Sequence, residues 1–513
     1  MQASYLKNYL KIYFYQALSI ILGFSSLFVV VPYLSEDQAV YGIYTVCMSV
    51  TIFLSYADLG FLGAGMKYAA ESFSKDDRLT EMKLIGFSHF ILLIFVIIIS
   101  SSFLFISYKP ELLIRGISEG RERYTAHYLL LILAIFSPTI ILQRTLQMIF
   151  GIRLQDFLLQ RINIVGNLVK ILSVFYFFGF GNYQIVSYFL FVQIINVVCA
   201  ILGVLQAKRR FNYNFCVLLK HIKFSSEIYN KTKSLAYSSL FVTVSWILYY
   251  ELDSFAIGSL LGAKEVATYA IGLTILSFFR TLLGVLFSPF SARFNHFIGT
   301  GSSVQLKEFY FNVISITLPL VIFPIISIVL CAEALVVSWV GWEYRHSITI
   351  VRWLVLCNVL AFISYPAGML MIAQEKLKEM YFVSIIMPVI YWTGILLTID
   401  TLGVQSFAIF KFIAFFISGV IYFWFTIKYL DMRIWDYLKS NIIPYVPSVL
   451  TLCILLYLCN SIYIDGKNKI NLLRNCFIMS MGIGISMALS ILSVKSLKNY
   501  LKEFRKKFKF RNG

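Results

Sequence analysis

The sequence predicts an all-α integral membrane protein with about 14 transmembrane helices. We expect two parallel repeats of six helices around a central lumen, followed by an extra helix pair. The first observation is composition: of 513 residues, 59% are hydrophobic and 13% are charged. The second is the length of the apolar stretches, because about 20 mostly apolar residues cross a bilayer as a helix. The third is a weak internal similarity between the two halves of the chain.

The apolar stretches are taken in chain order as transmembrane helices one to fourteen. They are too long for barrel strands and lack the alternation that such strands show. The first stretch is longer than the core of a cleavable signal, so it is assigned as helix one. The stretches lie near residues 12–34, 39–62, 84–108, 127–150, 161–181, 185–206, 235–262, 266–290, 312–331, 348–372, 381–401, 405–426, 442–463 and 473–494.

Positive charge is distributed unevenly about these spans. The chain has a formal net charge of +19, with 44 Lys and Arg against 25 Asp and Glu. Most basic residues fall in alternate loops and in the C-terminal tail, which places both termini in the cytoplasm by the positive-inside rule. The charge therefore sets the topology and offers contacts to anionic lipid headgroups. Nucleic acid is not an expected partner.

The two halves of the chain resemble each other. Y-G-I-Y at 41–44 matches V-A-T-Y at 266–269 at an offset of 225 residues, and Pro138 matches Pro366. Because each half begins inside and spans six times, the halves are parallel repeats, which is a transporter architecture. The predicted parts are an N-lobe at 1–206, a basic cytoplasmic linker at 207–232, a C-lobe at 233–430, helices thirteen and fourteen at 431–494 and a basic cytoplasmic tail at 495–513.

Helix five carries a polar stripe. Gln160, Asn163, Asn167 and Lys170 are spaced by three, four and three residues, so they share one helical face. An ionisable residue deep in a span is costly in lipid and by default faces protein or water. The stripe is therefore interpreted as the lining of a cavity. The alternative is a hydrogen-bonded seam between helices.

Further cationic and amide side chains are assigned to the same lumen. Arg280 lies near the middle of helix eight, and Arg144 and Gln147 of helix four are placed within reach of helix five. Guanidinium and ammonium groups bind phosphate strongly where water is scarce, so such a lumen suits an anionic substrate such as a diphosphate. Lys411, about two turns into helix twelve, is expected to extend to the membrane surface. The candidate substrate-binding residues are Lys170, Arg280, Arg144, Asn163, Asn167 and Gln147.

Three carboxylates in or near the spans have alternative roles. Glu251 and Asp253 are two residues apart, about 200° around a regular helix, so they are not expected to form a paired-carboxylate catalytic site. Each is a candidate for proton or cation coupling, for a counter-ion to Arg280, or for neither role. One of them is expected to pair with a base or a tyrosine. Asp58, near the inner end of helix two, is similarly a candidate for coupling or charge pairing.

The sequence lacks the patterns of nucleotide hydrolysis and metal binding. It contains no G-x-x-x-x-G-K-[ST] motif, no H-E-x-x-H motif and no C-x-x-C pair. The longest outer loop, 109–126, is short for an integral-membrane enzyme of glycan assembly. We therefore expect a protein that is not an enzyme, with no metal site and no cofactor.

One segment resembles a known family signature. The run D-S-F-A-I-G-S-L-L-G-A-K-E-V-A-T-Y at 253–269 resembles the helix seven–eight pattern of Wzx-like polysaccharide flippases. These form a branch of the multidrug/oligosaccharidyl-lipid/polysaccharide (MOP) exporter superfamily. Ala267 departs from the pattern, which usually has glycine there. Y-G-I-Y at 41–44 and D-L-G-F-L-G-A-G-M-K-Y-A-A-E at 58–71 resemble the corresponding first-half elements, and the resemblance extends over 5–430.

The resemblance implies a function. Such proteins carry an undecaprenyl-diphosphate-linked oligosaccharide from the inner to the outer leaflet of the bacterial cytoplasmic membrane, by alternating access, for O-antigen, capsule or exopolysaccharide assembly. It implies as partners this substrate, membrane lipids, a polysaccharide polymerase and a chain-length regulator. In related lipid II flippases the last two helices form a groove for the lipid tail, and the same role is expected for 442–494. The alternatives are an ion-coupled multidrug antiporter of the same superfamily, a peptidoglycan-precursor flippase and, more remotely, a glycan-assembly enzyme.

Overall fold

The computed structural model describes residues 2–55, 60–117, 120–179, 181–460 and 466–494. Over these ranges the chain forms α-helices with short 3₁₀ and π turns, and no β-strand. The first eleven helices are α1 (Gln2–Leu34), α2 (Gln38–Ser55), α3 (Phe61–Ser74), α4 (Arg78–Tyr108), α5 (Arg121–Phe136), α6 (Thr139–Ile152), α7 (Asp156–Phe177), α8 (Ile185–Phe211), α9 (Phe215–Lys220), α10 (Ser226–Trp246) and α11 (Asp253–Leu260). The others are α12 (Ala263–Gly299), α13 (Ser303–Leu330), α14 (Ala332–Val340), α15 (Ser347–Leu356), α16 (Ala361–Ala373), α17 (Leu377–Leu402), α18 (Gln405–Tyr429), α19 (Ile434–Asn441), α20 (Val446–Asn460) and α21 (Lys469–Ser493).

The predicted membrane-spanning helices are confirmed as a class. In the described part of the chain, 10 helices are long and apolar enough to cross a membrane, and three bent helix pairs raise the number to 13. The remaining predicted span, 39–62, is the second in chain order and corresponds to α2, and residues 56–59 of that span lie outside the described ranges. The all-helical membrane fold class therefore holds.

Three predicted spans are broken rather than continuous. The helix axis bends by 45° between α5 and α6, by 49° between Ser226–Glu251 and α11, and by 41° between α15 and α16. Pro138 stands at the first break, where its missing N–H and its ring disfavour a continuous helix. The second break follows a π-helical turn, Ile247–Glu251, and such turns locally widen a helix.

Polar side chains cap several helices outside the apolar spans. Asp77 accepts a hydrogen bond from the backbone N–H of Thr80 at 3.0 Å and begins α4. Hydrogen bonds from Thr80 hold the pKa of the Asp77 carboxyl below its usual value. Ser225 begins α10 in the same way, through the N–H of Ile228. Such caps satisfy backbone donors that have no partner inside the helix.

The chain forms two compact units, Met1–Ala270 and Ile271–Gly513. The boundary falls inside α12. Consequently α10 and α11, which the sequence assigns to the C-lobe, lie in the first unit, where α10 packs on α3 and α11 packs on α2. The lobe boundaries proposed from the internal repeat remain predictions.

A buried ion pair joins two helix ends in the first unit. Arg153, which follows α6, lies 2.8 Å from a carboxylate oxygen of Glu81 in α4, and the two side chains are 4% and 1% exposed. The Arg153 guanidinium also lies 4.7 to 5.3 Å from the ring centroids of Phe73, Phe211 and Tyr213. Three aromatic faces and one carboxylate therefore enclose this charge.

Glycines permit close helix contacts beside α11. A Cβ on Gly42 in α2 would lie 1.8 Å from the carbonyl oxygen of Ala263. A Cβ on Gly258 would lie 2.9 Å from a methyl of Val46. Gly262 has a φ of +100°, which glycine adopts readily. The glycines of the two sequence signatures thus have a packing role: they hold α2 against α11 and the start of α12.

The extra helix pair packs inside the second unit. Leu452 and Leu456 of α20 and Met479 of α21 share a core cluster with Phe323 of α13. Asn475 of α21 donates hydrogen bonds to two groups of α14, a backbone carbonyl at 3.1 Å and a serine hydroxyl at 3.2 Å. The pair is therefore an integral part of this unit. Residues 461–465 and the basic tail at 495–513 lie outside the described ranges.

Candidate functional site

Helix α7 has two distinct faces. Val165 and Leu172 are 61% and 64% exposed, as expected for side chains that contact lipid. The opposite face carries Asn163, which is exposed, and Asn167 and Lys170, which are half-buried. The shared face that the three-four-three spacing predicts is present. A span with this asymmetry has one face suited to lipid and one suited to protein or water.

Lys170 lies at the centre of a hydrogen-bonded group. Its ammonium donates to the amide oxygen of Asn196 in α8 at 2.6 Å and to that of Asn167 at 3.3 Å. The Asn196 amide in turn donates to Gln193 at 3.2 Å. We call Asn167, Lys170, Gln193 and Asn196 the amide cluster. Among the described residues, Lys170 takes part in no ion pair with a carboxylate.

The amide cluster joins α7 to α8. At its Lys170 end, the polar stripe of α7 therefore forms a hydrogen-bonded seam between helices, which was the alternative to a cavity lining. Asn163, two turns away, is exposed and has no such contact in the described structure. The lumen assignment of the stripe remains a prediction. Sequence reasoning missed Gln193 and Asn196, although their i, i+3 spacing on a strongly apolar span resembles that of Asn167 and Lys170.

The assigned residues of α6 contact each other. Arg144 is half-buried and donates to the side-chain oxygen of Gln147, which is exposed, at 3.0 Å. Both lie in the first unit with the amide cluster.

Two basic residues of the second unit, Arg280 and Lys411, lie within predicted membrane-spanning helices. Arg280 in α12 is half-buried, and on the same helix Phe287 stacks on the ring of Tyr365 with 5.0 Å between the ring centroids. Lys411 in α18 is 0% exposed, and its ammonium lies 5.5 Å from the ring centroid of Tyr391. The expectation that Lys411 extends to the membrane surface is wrong, because the whole side chain is buried within the protein.

Glu251 and Asp253 lie on either side of the π-helical break and have different partners. Both are buried. The indole of Trp246 donates to Glu251 at 3.4 Å, and the phenol of Tyr269 donates to Asp253 at 2.5 Å. The predicted tyrosine partner is thus present, at Asp253. The 200° separation assumed for a regular helix does not apply here, and the two carboxylates are distinguished instead by their partners.

The remaining assignments concern Asp58 and metal binding. Asp58 lies outside the described residues. Within the described part of the chain, no group of three or more His, Cys, Asp or Glu side chains is placed to hold a metal ion.

The fold is similar to that of solved membrane transporters. Lipid II flippase MurJ in an inward closed conformation matches with a TM-score of 0.69 and 15% identity, over 95% of this chain and 99% of that chain. An inward-facing multidrug resistance MATE family transporter of the MOP superfamily matches with a TM-score of 0.63 and 15% identity, over 83% and 96%. A MATE protein in complex with MaL6 gives 0.55 and 14%, over 82% and 95%. The sequence matches no protein-family model and no curated protein. The chain therefore has the fold shared by the flippase MurJ and the MATE transporters of the MOP superfamily.

Proposed function

We propose that the protein is a flippase that moves an undecaprenyl-diphosphate-linked oligosaccharide from the inner to the outer leaflet of a bacterial cytoplasmic membrane, for surface polysaccharide assembly. The distribution of basic residues in the sequence supports a topology with both termini in the cytoplasm. The observation that carries the proposal is Lys170, an ammonium group deep in a span whose hydrogen bonds go to the amide oxygens of Asn167 and Asn196.

The charge of Lys170 is suited to an anionic ligand. A cation at the centre of a span costs about 2.5–3.5 kcal/mol on insertion scales, and amide oxygens offset this cost without neutralising the charge. An ammonium has three N–H donors, and two of them are used by Asn167 and Asn196. The third is available for a phosphate oxygen, in a charge-assisted hydrogen bond of the stronger kind. Asn163, exposed on the same face, offers an amide to sugar hydroxyls.

The structural neighbours define the competing proposals. A multidrug antiporter that carries cations would favour acidic groups on the polar face of α7, whereas the amide cluster presents an ammonium group. A peptidoglycan-precursor flippase is the second candidate, because MurJ is described as a lipid II flippase and matches 95% of this chain. Both flippase candidates need a site for an anionic, glycan-bearing lipid, so the cargo has to be identified chemically.

Deletion of the gene in its host is the direct test. Lipids would be extracted, and the undecaprenyl-linked intermediates would be identified by mass spectrometry alongside an assay of surface polysaccharide. We expect a complete oligosaccharide-diphosphate lipid to accumulate while surface polysaccharide is lost. Accumulation of the peptidoglycan precursor would support the second candidate. No accumulation, together with new sensitivity to cationic drugs, would support the antiporter and contradict the proposal.

Variants of Lys170 connect the activity to the site. Lys170→Ala and Arg280→Ala are each expected to abolish surface polysaccharide at normal protein levels in the membrane, and Lys170→Arg is expected to retain part of it. Lys307→Ala is the matched control, since Lys307 is a half-buried lysine near the start of α13 that donates to a backbone carbonyl at 2.9 Å. Normal surface polysaccharide in both Lys170→Ala and Arg280→Ala would contradict the role of these cations.

A further inference from the structure

A groove runs along the first unit between α7 and α8. Its volume is about 450 Å³, and its walls are apolar side chains that include Val165 and Val169 of α7 and Val198 of α8. It lies over the apolar face of α7, next to the amide cluster but across the helix from Asn163. The groove is therefore separate from the polar face on which the transport proposal rests.

Gly166 accounts for the shape of the groove. A Cβ at this position would lie 2.5 Å from the sulfur of Cys199, so α7 and α8 approach each other closely here. Val165 beside it is 61% exposed and Val198 is 43% exposed. The two valines line the groove on either side of this contact between Gly166 and Cys199.

The length of the groove matches one leaflet of a bilayer. Its lining on α7 extends from Leu158 to Val169, which corresponds to about 17 Å at a helical rise of about 1.5 Å per residue. The hydrocarbon core of a bilayer is about 30 Å thick, so one leaflet measures about 15 Å. A single acyl chain of one leaflet therefore fits along the groove, whereas a polyprenyl chain would extend well beyond it.

One end of the groove is polar and basic. Arg161 and Gln206 complete the lining at that end. Three exposed basic residues, Lys208, Arg209 and Arg210, follow on the last turn of α8. Apolar walls that end in a guanidinium at the membrane surface are complementary to a lipid with an acyl chain and an anionic phosphate.

We propose that this groove binds one acyl chain of an anionic phospholipid, with Arg161 holding the phosphate. The predicted topology places Arg161 at the cytoplasmic surface, so the lipid belongs to the inner leaflet. The bound chain lies along the groove between Val165 and Val198, beside the amide cluster. This proposal is independent of the cargo that the protein transports.

Native mass spectrometry of the purified full chain tests the proposal. The protein would be titrated in detergent with phosphatidylglycerol and, separately, with phosphatidylethanolamine. We expect preferential retention of phosphatidylglycerol. Arg161→Gln should weaken this retention about fivefold, as one basic group at a membrane surface would. Arg209→Gln is the matched control, because Arg209 is basic and exposed at the same end but does not line the groove.

A second pair of variants tests the apolar part. Val198→Trp fills the groove and is expected to reduce the number of retained lipids by one, whichever headgroup is used. Val420→Trp is its control, since Val420 is 46% exposed on α18 and lies outside the groove. An unchanged number and preference of lipids in Val198→Trp would overturn the proposal. Loss of a co-purified polyprenyl diphosphate or of a protein dimer in Val198→Trp would also overturn the proposal, because either loss would identify a different occupant of the groove.

Discussion

Replacing Gly42 by alanine tests the close contact between α2 and the start of α12. The new Cβ would lie 1.8 Å from the carbonyl oxygen of Ala263, where an ordinary contact needs at least 3.4 Å. The two backbones would have to separate by about 1.6 Å. This movement would strain the hydrogen bond from Gln38 to Thr268, which measures 3.1 Å. Overpacking of this kind costs about 1–3 kcal/mol or more, and a strained hydrogen bond adds about 1 kcal/mol.

We therefore expect Gly42→Ala to be destabilised by about 3 kcal/mol. For a unit of this size the melting temperature would fall by about 6–12 °C, measured by fluorescence-detected size-exclusion chromatography after heating in detergent. Gly63→Ala is the matched control, because nothing lies within 4 Å of a Cβ there and alanine favours the helix α3. Equal melting temperatures for wild type and Gly42→Ala would refute the packing role.

Three further predictions concern buried polar groups. Arg153→Ala leaves Glu81 buried without its cation and is expected to destabilise the protein by about 3–5 kcal/mol. Arg153→Met combined with Glu81→Leu should restore much of the melting temperature. A melting temperature of Arg153→Ala equal to that of wild type would contradict this prediction. Tyr269→Phe removes the hydrogen bond to Asp253 and should lower stability by about 1–3 kcal/mol. If Asp253 couples transport to an ion, Asp253→Asn should lose export at every external pH and sodium concentration, and full activity of Asp253→Asn across both conditions would exclude a coupling role. Asn475→Leu is expected to cost about 1–3 kcal/mol through loss of the α14–α21 hydrogen bonds, which thermal unfolding of the purified variant would reveal.

The membrane-spanning helices were predictable because their signal is local. About 20 apolar residues are enough to identify a span, and the described helices match the predicted stretches in order. The helix breaks were harder to predict. The π-helical turn at Ile247–Glu251 has no glycine or proline to mark it, and only the packing of α11 against α2 shows why the axis changes direction there.

The candidate site was also predictable only in part, because some of its features are local in sequence and others depend on how helices pack. The shared face of Asn163, Asn167 and Lys170 follows from helical periodicity alone. The partner of Lys170 does not, because the contact with Asn196 depends on how α7 packs against α8. Lys411 shows the limit of judging depth from sequence position. Its distance from the helix end suggested access to the surface, but the surrounding side chains leave it no exposed area.

The ion pair between Glu81 and Arg153 has a consequence for biosynthesis. The two residues are 72 positions apart in the chain, and translation proceeds at about 5–20 residues per second. Glu81 therefore leaves the ribosome roughly 4 to 14 s before its partner. During that interval the Glu81 carboxylate lacks its Arg153 partner, so the Glu81 end of α4 cannot adopt its final packing until the segment after α6 has been made. Chains that stop before Arg153 would keep this end open, which offers cellular quality control a way to recognise unfinished copies.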